Sequence, residues 1–266
     1  MICSISTRLV SMSLRRFSKA QLERCSAWFD LVETPDEWTD IGPIGEGESQ
    51  SVRVKYGDTV GVAKPGPPKA SDLVCRAAHE KIAFDLAHRL DLPVPPVILW
   101  GKDMGHHYIR GRSISGWAFL QAGKWDDAAR LGLLTSELIT SASPVVSAMR
   151  VFHTWISDTD RKSDHTQVDL DSAEVLGVAF IDHAFSMSFQ WKQPGAPIGA
   201  CPAYMPAPED RGTMVHTADL ISQISDAEIE RIVNRIPAGY LPSVERQHIL
   251  DNLKGRRGNL GALLGL

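Results

Sequence analysis

The sequence predicts an α+β protein, with a small β-rich N-terminal part that carries one key helix and a mostly helical C-terminal part. Three observations predict it. Val52, Val54 and Tyr56 alternate with polar residues, Gly57-Asp58 supplies a two-residue turn, and Val60 and Val62 alternate again up to Lys64, which is the pattern of a β-hairpin. Asp72 to Leu90 then carries apolar residues at helical spacing. From Trp117 onward helical patterns dominate, with starts signalled at Ser143-Pro144, Ser225 and Ser243.

The 266 residues are 43% hydrophobic and 23% charged, which suits one globular protein with a full core. A net charge of -4 gives no electrostatic case for nucleic acid as the main partner. The cysteines Cys3, Cys25, Cys75 and Cys201 form no close pair, so the expectation is a reducing, cytoplasmic setting and no cysteine-based structural zinc. No apolar run is long enough to span a bilayer, and the N-terminus lacks the apolar core of a secretory peptide. Residues 1–19 hold Arg8, Arg15, Arg16 and Lys19 among serines with no acid, the composition of a loosely ordered basic arm. Residues 20–266 are expected to form a single domain.

In chain order, Ser18 and Gln21 make a capping-box pair, and Leu22, Cys25, Phe29 and Val32 continue a first helix to Thr34-Pro35. The stretch IGPIGEGES is a Gly-containing loop leading into the hairpin. Lys64 shares a strand face with Val60 and Val62 before Pro65 ends the strand, so its ammonium needs an anion nearby. In the helix Asp72 to Leu90, capped by Ser71, the residues Leu73, Ala77, Glu80, Phe84 and Ala87 form one seam. Glu80 interrupts that seam, and Lys64 is the candidate partner. A slightly rotated seam, with Glu80 reaching water by its own length, accounts for the same residues equally well. VILW (97–100) and HHYIRGRSI flank GKDMG as a hairpin or connector.

Ser143 and Pro144 signal a new helix carrying Val145, Met149, Phe152 and Ile156, which delivers the loop WISDTDRKSDH. Thr166 to Leu170 and Val175 to Ile181 read as a β pair, and Gln193 to Glu209 as an irregular surface excursion. Ser225 with Glu228 forms a second capping box ahead of Ile229, Ile232, Val233 and Ile236, and Ser243 starts a last amphipathic helix through Leu253.

The chemistry concentrates in two stretches. Asp158, Asp160 and Asp164 crowd beside His165, and Asp182 in FIDH closes an apolar run, so it emerges at a strand end where ligand-binding residues tend to lie. Carboxylates packed this closely repel one another unless a cation sits among them or solvent screens them. A Gly-containing loop, a strand lysine, a helix glutamate, an acidic loop and a strand-end aspartate, in that order, are the parts that phosphoryl transfer needs.

From Ile41 to the C-terminal helices the sequence resembles the HipA-like kinases and, more distantly, the phosphatidylinositol 3- and 4-kinase-related fold. The resemblance implies a two-lobed protein-kinase-like fold, with an N-lobe of about 20–112 and a C-lobe of about 113–266. GVAKP resembles the family's ATP-lysine strand, implying that Lys64 binds phosphates with Glu80 positioning it. SDTDRKSDH resembles the catalytic loop, implying Asp160 as base or as the group orienting the acceptor hydroxyl. FIDHAFS resembles the strand-end metal motif, implying Asp182 as main Mg²⁺ ligand. Gly45, Gly47 and Ser49 would cover the phosphates, and VILW, through Leu99 and Trp100, would contact adenine. His165 stands where the family has a metal-binding Asn. Either Asp164 takes over that contact, His165 ligates a softer ion such as Mn²⁺, or the second metal site is lost.

The implied activity is transfer of the γ-phosphate of ATP to a hydroxyl, a protein Ser or Thr ahead of a small molecule or lipid. Two alternatives come from other classes. One is an idle nucleotide-binding module, to which the missing Asn points. The other is a metal-dependent hydrolase using Asp158, Asp160, His165, Asp182 and His183, which leaves Lys64 and Glu80 unexplained. The preferred role of His183 is a capping or core histidine.

Overall fold

The computed structural model describes residues 27–34, 37–44, 51–64, 75–101, 112–115, 123–158, 160–169, 177–187 and 207–266. The basic arm, the Gly-loop residues Gly45, Gly47 and Ser49, and nearly all of the Pro-rich stretch lie outside them. The fold is mixed, with a five-stranded antiparallel sheet, a three-stranded sheet and a set of helices.

Strands β1 (Thr39–Pro43), β2 (Val52–Tyr56), β3 (Thr59–Lys64), β4 (Val97–Trp100) and β5 (Arg112–Ser115) are ordered β1-β2-β3-β5-β4. The β2–β3 hairpin forms as its alternation predicts, closed by Gly57 at φ 56, a left-handed value that glycine adopts without a Cβ penalty. β1 is an addition to what the sequence suggested. Its register slips between Asp40 and Gly42, where Gly42 has φ 132, so a bulge lets Gly and Pro43 sit in an edge strand. β3 is paired on both sides, with Ala63 on it and Val54 on neighbouring β2 completely buried.

Helix α1 (Arg76–Arg89) is buried from Ala77 through Leu86 to Ala87 on every face, so the single seam read from the sequence understates its burial. It packs on β4 and β5. Its interior charges are matched. Lys81 Nζ donates to the Trp28 carbonyl at 2.8 Å and to Asp85 Oδ1 at 2.9 Å, and Arg235 meets Asp85 Oδ2 at 2.6 Å. Burial pushes the Asp85 carboxyl up and the Lys81 ammonium down to about 8, and each charge opposes the other's shift.

The second sheet is β6 (Gly123–Lys124), β7 (Thr166–Asp169) and β8 (Gly177–Phe180), paired antiparallel in that order. Between β6 and β7 run α2 (Trp125–Arg130) and α3 (Ser136–Trp155). Helix α3 corrects the expected start at Ser143. Thr135 is the N-cap, accepting from Leu138 N at 3.3 Å, and Pro144 lies inside the helix. Proline removes the bond to the carbonyl four residues back, that of Thr140, which is on the exposed face where water can serve it. Met149, Val151, Phe152 and Trp155 are completely buried, and Trp155 Nε1 donates to the Leu253 carbonyl at 2.9 Å.

The remaining helices are α4 (Arg211–Ser222), α5 (Asp226–Asn234), α6 (Ser243–Arg257) and α7 (Leu260–Leu264). α4 follows the Pro-rich excursion, and Asp210 caps it by accepting from Thr213 N at 3.0 Å. Ser225 caps α5 as expected, through Glu228 N at 3.2 Å, but the Glu228 side chain pairs with Arg231 rather than closing the box. No helix among the described residues is long and apolar enough to cross a membrane.

Candidate active site

Lys64 ends β3 with its ammonium between two carboxylates from different elements. Nζ lies 2.6 Å from Glu80 Oε1 on α1 and 2.8 Å from Asp182 Oδ1 just beyond β8. The apolar strand face and the buried helix seam therefore do bring Lys64 and Glu80 together, and Glu80 is 4% exposed rather than reaching water. Burial pushes the Lys64 ammonium down, but the charges and hydrogen bonds of Glu80 and Asp182 outweigh it and raise its pKa. Burial likewise pushes Asp182 up, while Lys64 first, then His165 and Arg161, hold its carboxyl well below the usual range. Lys64 stays a cation and Asp182 an anion near neutrality.

Asp182 adopts φ 65, a left-handed backbone that a non-glycine residue holds only when its surroundings fix it. Arg161 does so, donating from Nη1 to the Ile181 carbonyl at 2.9 Å and from Nη2 to the Asp182 carbonyl. The same guanidinium meets Asp158 Oδ2 at 3.0 Å through Nε. Asp158 is completely buried, so it faces inward toward Arg161 and does not join the other acids of its loop. Burial, opposed by Arg161, pushes its carboxyl up to about 6. Helix α1 also reaches past Asp182, since His79 Nδ1 lies 3.2 Å from the Ala184 carbonyl.

The acidic loop leaves α3 through Ser157 at φ 50 and ends in a 3₁₀ turn, Ser163–His165. Backbone bonds from Ile181 N to the His165 carbonyl at 3.0 Å and from Met187 N to the Ile156 carbonyl at 2.8 Å fasten it to the Asp182 segment. Asp160 lies in this loop with Lys162 Nζ 3.0 Å from Oδ1 and 3.1 Å from Oδ2. His165 is buried, with Nε2 3.6 Å from Asp182 Oδ2 and 3.7 Å from Asp164 Oδ1, both beyond hydrogen-bond length. Burial, then Arg161, push its imidazole down to about 4 against the pull of Asp182 and Asp164. His165 is thus neutral near pH 7. Of the adenine-contact candidates, Leu99 is completely buried and its backbone N–H and carbonyl already bond to Val32 and Thr34, whereas Trp100 is half-buried at the end of β4.

Among solved structures the chain is similar to a Helicobacter pylori proinflammatory kinase, CtkA, at 12% identity, covering 85% of this chain and 94% of that one with a TM-score of 0.59. The fold is kinase-like. No protein-family model matches the chain, and no curated protein does either.

Within this kinase-like fold, sequence reasoning missed three side chains that organise the site. Arg161 directly follows Asp160, and an arginine inside an acid-rich loop was the available signal for an internal charge pair. Lys162, two residues after Asp160, carried the same signal. His79 had none beyond its place beside Glu80, because only the fold shows that this face of α1 meets the Asp182 segment.

Proposed function

We propose that this protein is a HipA-like phosphotransferase that moves the γ-phosphate of ATP to a hydroxyl, with a protein Ser or Thr as the acceptor ahead of a small molecule or lipid. The observation that carries the proposal is the Lys64 ammonium held 2.6 Å from Glu80 and 2.8 Å from Asp182, in a kinase-like fold. Lys64 is fixed by Glu80 where it can neutralise phosphate oxygens. Asp160 accepts the proton of the acceptor hydroxyl as its oxygen bonds to the γ-phosphorus and the bond to the bridging oxygen breaks, releasing ADP. In this reading residues of about 20–112 form the N-lobe and residues of about 113–266 the C-lobe. Gly45, Gly47 and Ser49 cover the phosphates, and Trp100 lines the adenine end with Leu99 buried beside it.

The donor set fits a divalent ion. Asp182 is ionised, neutral His165 Nε2 lies 3.6 Å from Asp182 Oδ2 and 3.7 Å from Asp164 Oδ1, and His165 Nδ1 is buried with no hydrogen-bond partner among the described residues. Asp182 would be the main ligand, with Asp164 and His165 beside it, and the bound ion would supply charge neutralisation at the β- and γ-phosphates. An imidazole in the set favours Mn²⁺ over Mg²⁺. The same histidine, in place of an amide, supports the second reading, an idle nucleotide-binding module.

The test is incubation with γ-labelled ATP and either Mg²⁺ or Mn²⁺, alone and with lysate, followed by mass spectrometry of proteins and metabolites. Label on protein hydroxyls, stronger with Mn²⁺ and absent from Asp160→Asn, is the expected result. Label only on a metabolite moves the acceptor to a small molecule, and no label with either ion leaves the idle module.

A further inference from the structure

Behind the Asp182 segment lies a second group of ligand-type side chains that phosphoryl transfer does not use. His153 sits near the end of α3, Asp158 just past it, and His183 directly follows Asp182. All are buried, with Asp158 at 0% and His183 at 1% exposure. One ligand atom from each lies within 4.8 Å of the other two. The imidazoles are oriented by edge-on aromatic contacts, His153 against Phe180 at 68° and His183 against Phe152 at 71°.

Their Nε2 atoms face each other at 3.3 Å. That is the long end for a hydrogen bond between two neutral imidazoles. It is also the separation that one tetrahedral ion imposes, because two nitrogens each about 2.0–2.1 Å from zinc stand about 3.3–3.4 Å apart. An octahedral ion with bonds of about 2.1 Å would hold adjacent donors near 3.0 Å. Burial first, then the Arg161 charge, keep both imidazoles well below their usual pKa. Asp158 supplies the anionic donor. Its Oδ2 meets Arg161 at 3.0 Å, and its Oδ1 accepts from Asp160 N at 3.4 Å. One of its oxygens lies within 4.8 Å of both imidazole donors, so to complete the set it has to approach by about 1.5 Å at most. The Arg161 guanidinium opposes a cation here, and its ion pair with Asp158 offsets that charge.

We propose that His153, Asp158 and His183 form a buried zinc site that ties the end of α3 to the segment carrying Asp182. Two nitrogens and one oxygen suit Zn²⁺ better than Mg²⁺, and three-ligand sites of this kind keep water or another small ligand in the fourth position. The site is separate from the ion position at Asp182, Asp164 and His165, and it stands whether or not the protein transfers phosphate.

The test uses the full chain, stripped by chelator and titrated with Zn²⁺ alone, without nucleotide or Mg²⁺. The expected result is one zinc per chain by elemental analysis, a rise in melting temperature, and with Co²⁺ the intense visible bands of a tetrahedral site. His153→Gln and His183→Gln should each lose the metal, whereas Asp182→Asn should retain it. Zinc that survives both histidine changes but vanishes with Asp182→Asn would place the ion at the neighbouring position and overturn the proposal. So would a wild-type protein that takes up no stoichiometric zinc, or that gives only weak octahedral Co²⁺ bands, leaving a hydrogen-bonded imidazole pair only. The stoichiometry and the Co²⁺ spectrum are read on the wild type, so they decide the matter even where a glutamine variant fails to fold.

Discussion

The Lys64 ammonium is shared by Glu80 and Asp182, so removing it leaves a buried and a half-buried carboxylate without their shared cation. Lys64→Ala is expected to melt at a lower temperature and to lose the stabilisation that the proposed kinase reading expects of Mg-ATP on the wild type, read by thermal shift with and without ligand. An unchanged ligand-induced rise would remove Lys64 from the nucleotide site. The two aspartates should fail differently. Asp182→Asn removes a charge expected beside the ion and should abolish metal-dependent nucleotide binding. Asp160→Asn should keep binding and lose turnover, because its carboxylate pairs with Lys162 and not with Lys64. Equal loss of binding in both would collapse the distinction. Lys64 and Glu80 were legible as a pair because strand and helix periodicity place each on an apolar face. Asp158 was not, since nothing in SDTDRKSDH tells which acid turns inward; that is decided by Arg161 reaching the carbonyls of Ile181 and Asp182.

At the scale of elements, the hairpin, α1, the β7–β8 pair and the α5 and α6 helices follow their patterns, and the departures have local causes. Ser-Pro commonly opens a helix, which is why Pro144 read as a first position, yet a helix already capped at Thr135 runs through it with the orphaned carbonyl on its wet side. β1 was hidden because Gly42 and Pro43 are strand breakers everywhere except at a bulged edge. α4 was missed because it follows the Pro-rich stretch, although Asp210 with Thr213 is a strong cap: Oδ1 accepts from the Thr213 N–H and Oδ2 from its hydroxyl, each at 3.0 Å. Asp210→Ala is expected to cost about 1 kcal/mol. In a protein of this size that lowers the melting temperature by about 2–4 °C. Nucleotide affinity measured on the same variant should not change, as Asp210 is remote from Lys64 in the contacts it makes.

For the molecule as a whole, the buried histidines set the response to acid. In chelator, His165 has its pKa lowered from 6.5 to about 4, and those of His153 and His183 are lowered well below 6.5. The unfolded chain takes up protons below about 6.5 that the folded chain refuses, so this stability is fully present above 6.5 and is lost as pH falls toward 4. Each group contributes at most about 1.4 kcal/mol per pH unit in that window. Asp158 acts the other way, since its carboxyl is raised from 3.8 to about 6 and is relieved by protonation, as do Asp85 and Asp91, whose carboxyls burial also raises, but His153, His165 and His183 together with His88 outnumber these acids. Melting at pH 5.0 should therefore come well below melting at pH 7.5, and His165→Asn should flatten the slope. A pH-independent melting temperature would mean that these rings are not held neutral. The Lys64–Asp182 contact has one more consequence at this scale. A divalent ion arriving alone must compete with an ammonium for Asp182, and ATP arriving alone must draw that ammonium away and strand the carboxylate. In the proposed kinase they would exchange partners, with phosphate taking Lys64 and the ion taking Asp182, so each should tighten the other's binding by the same factor.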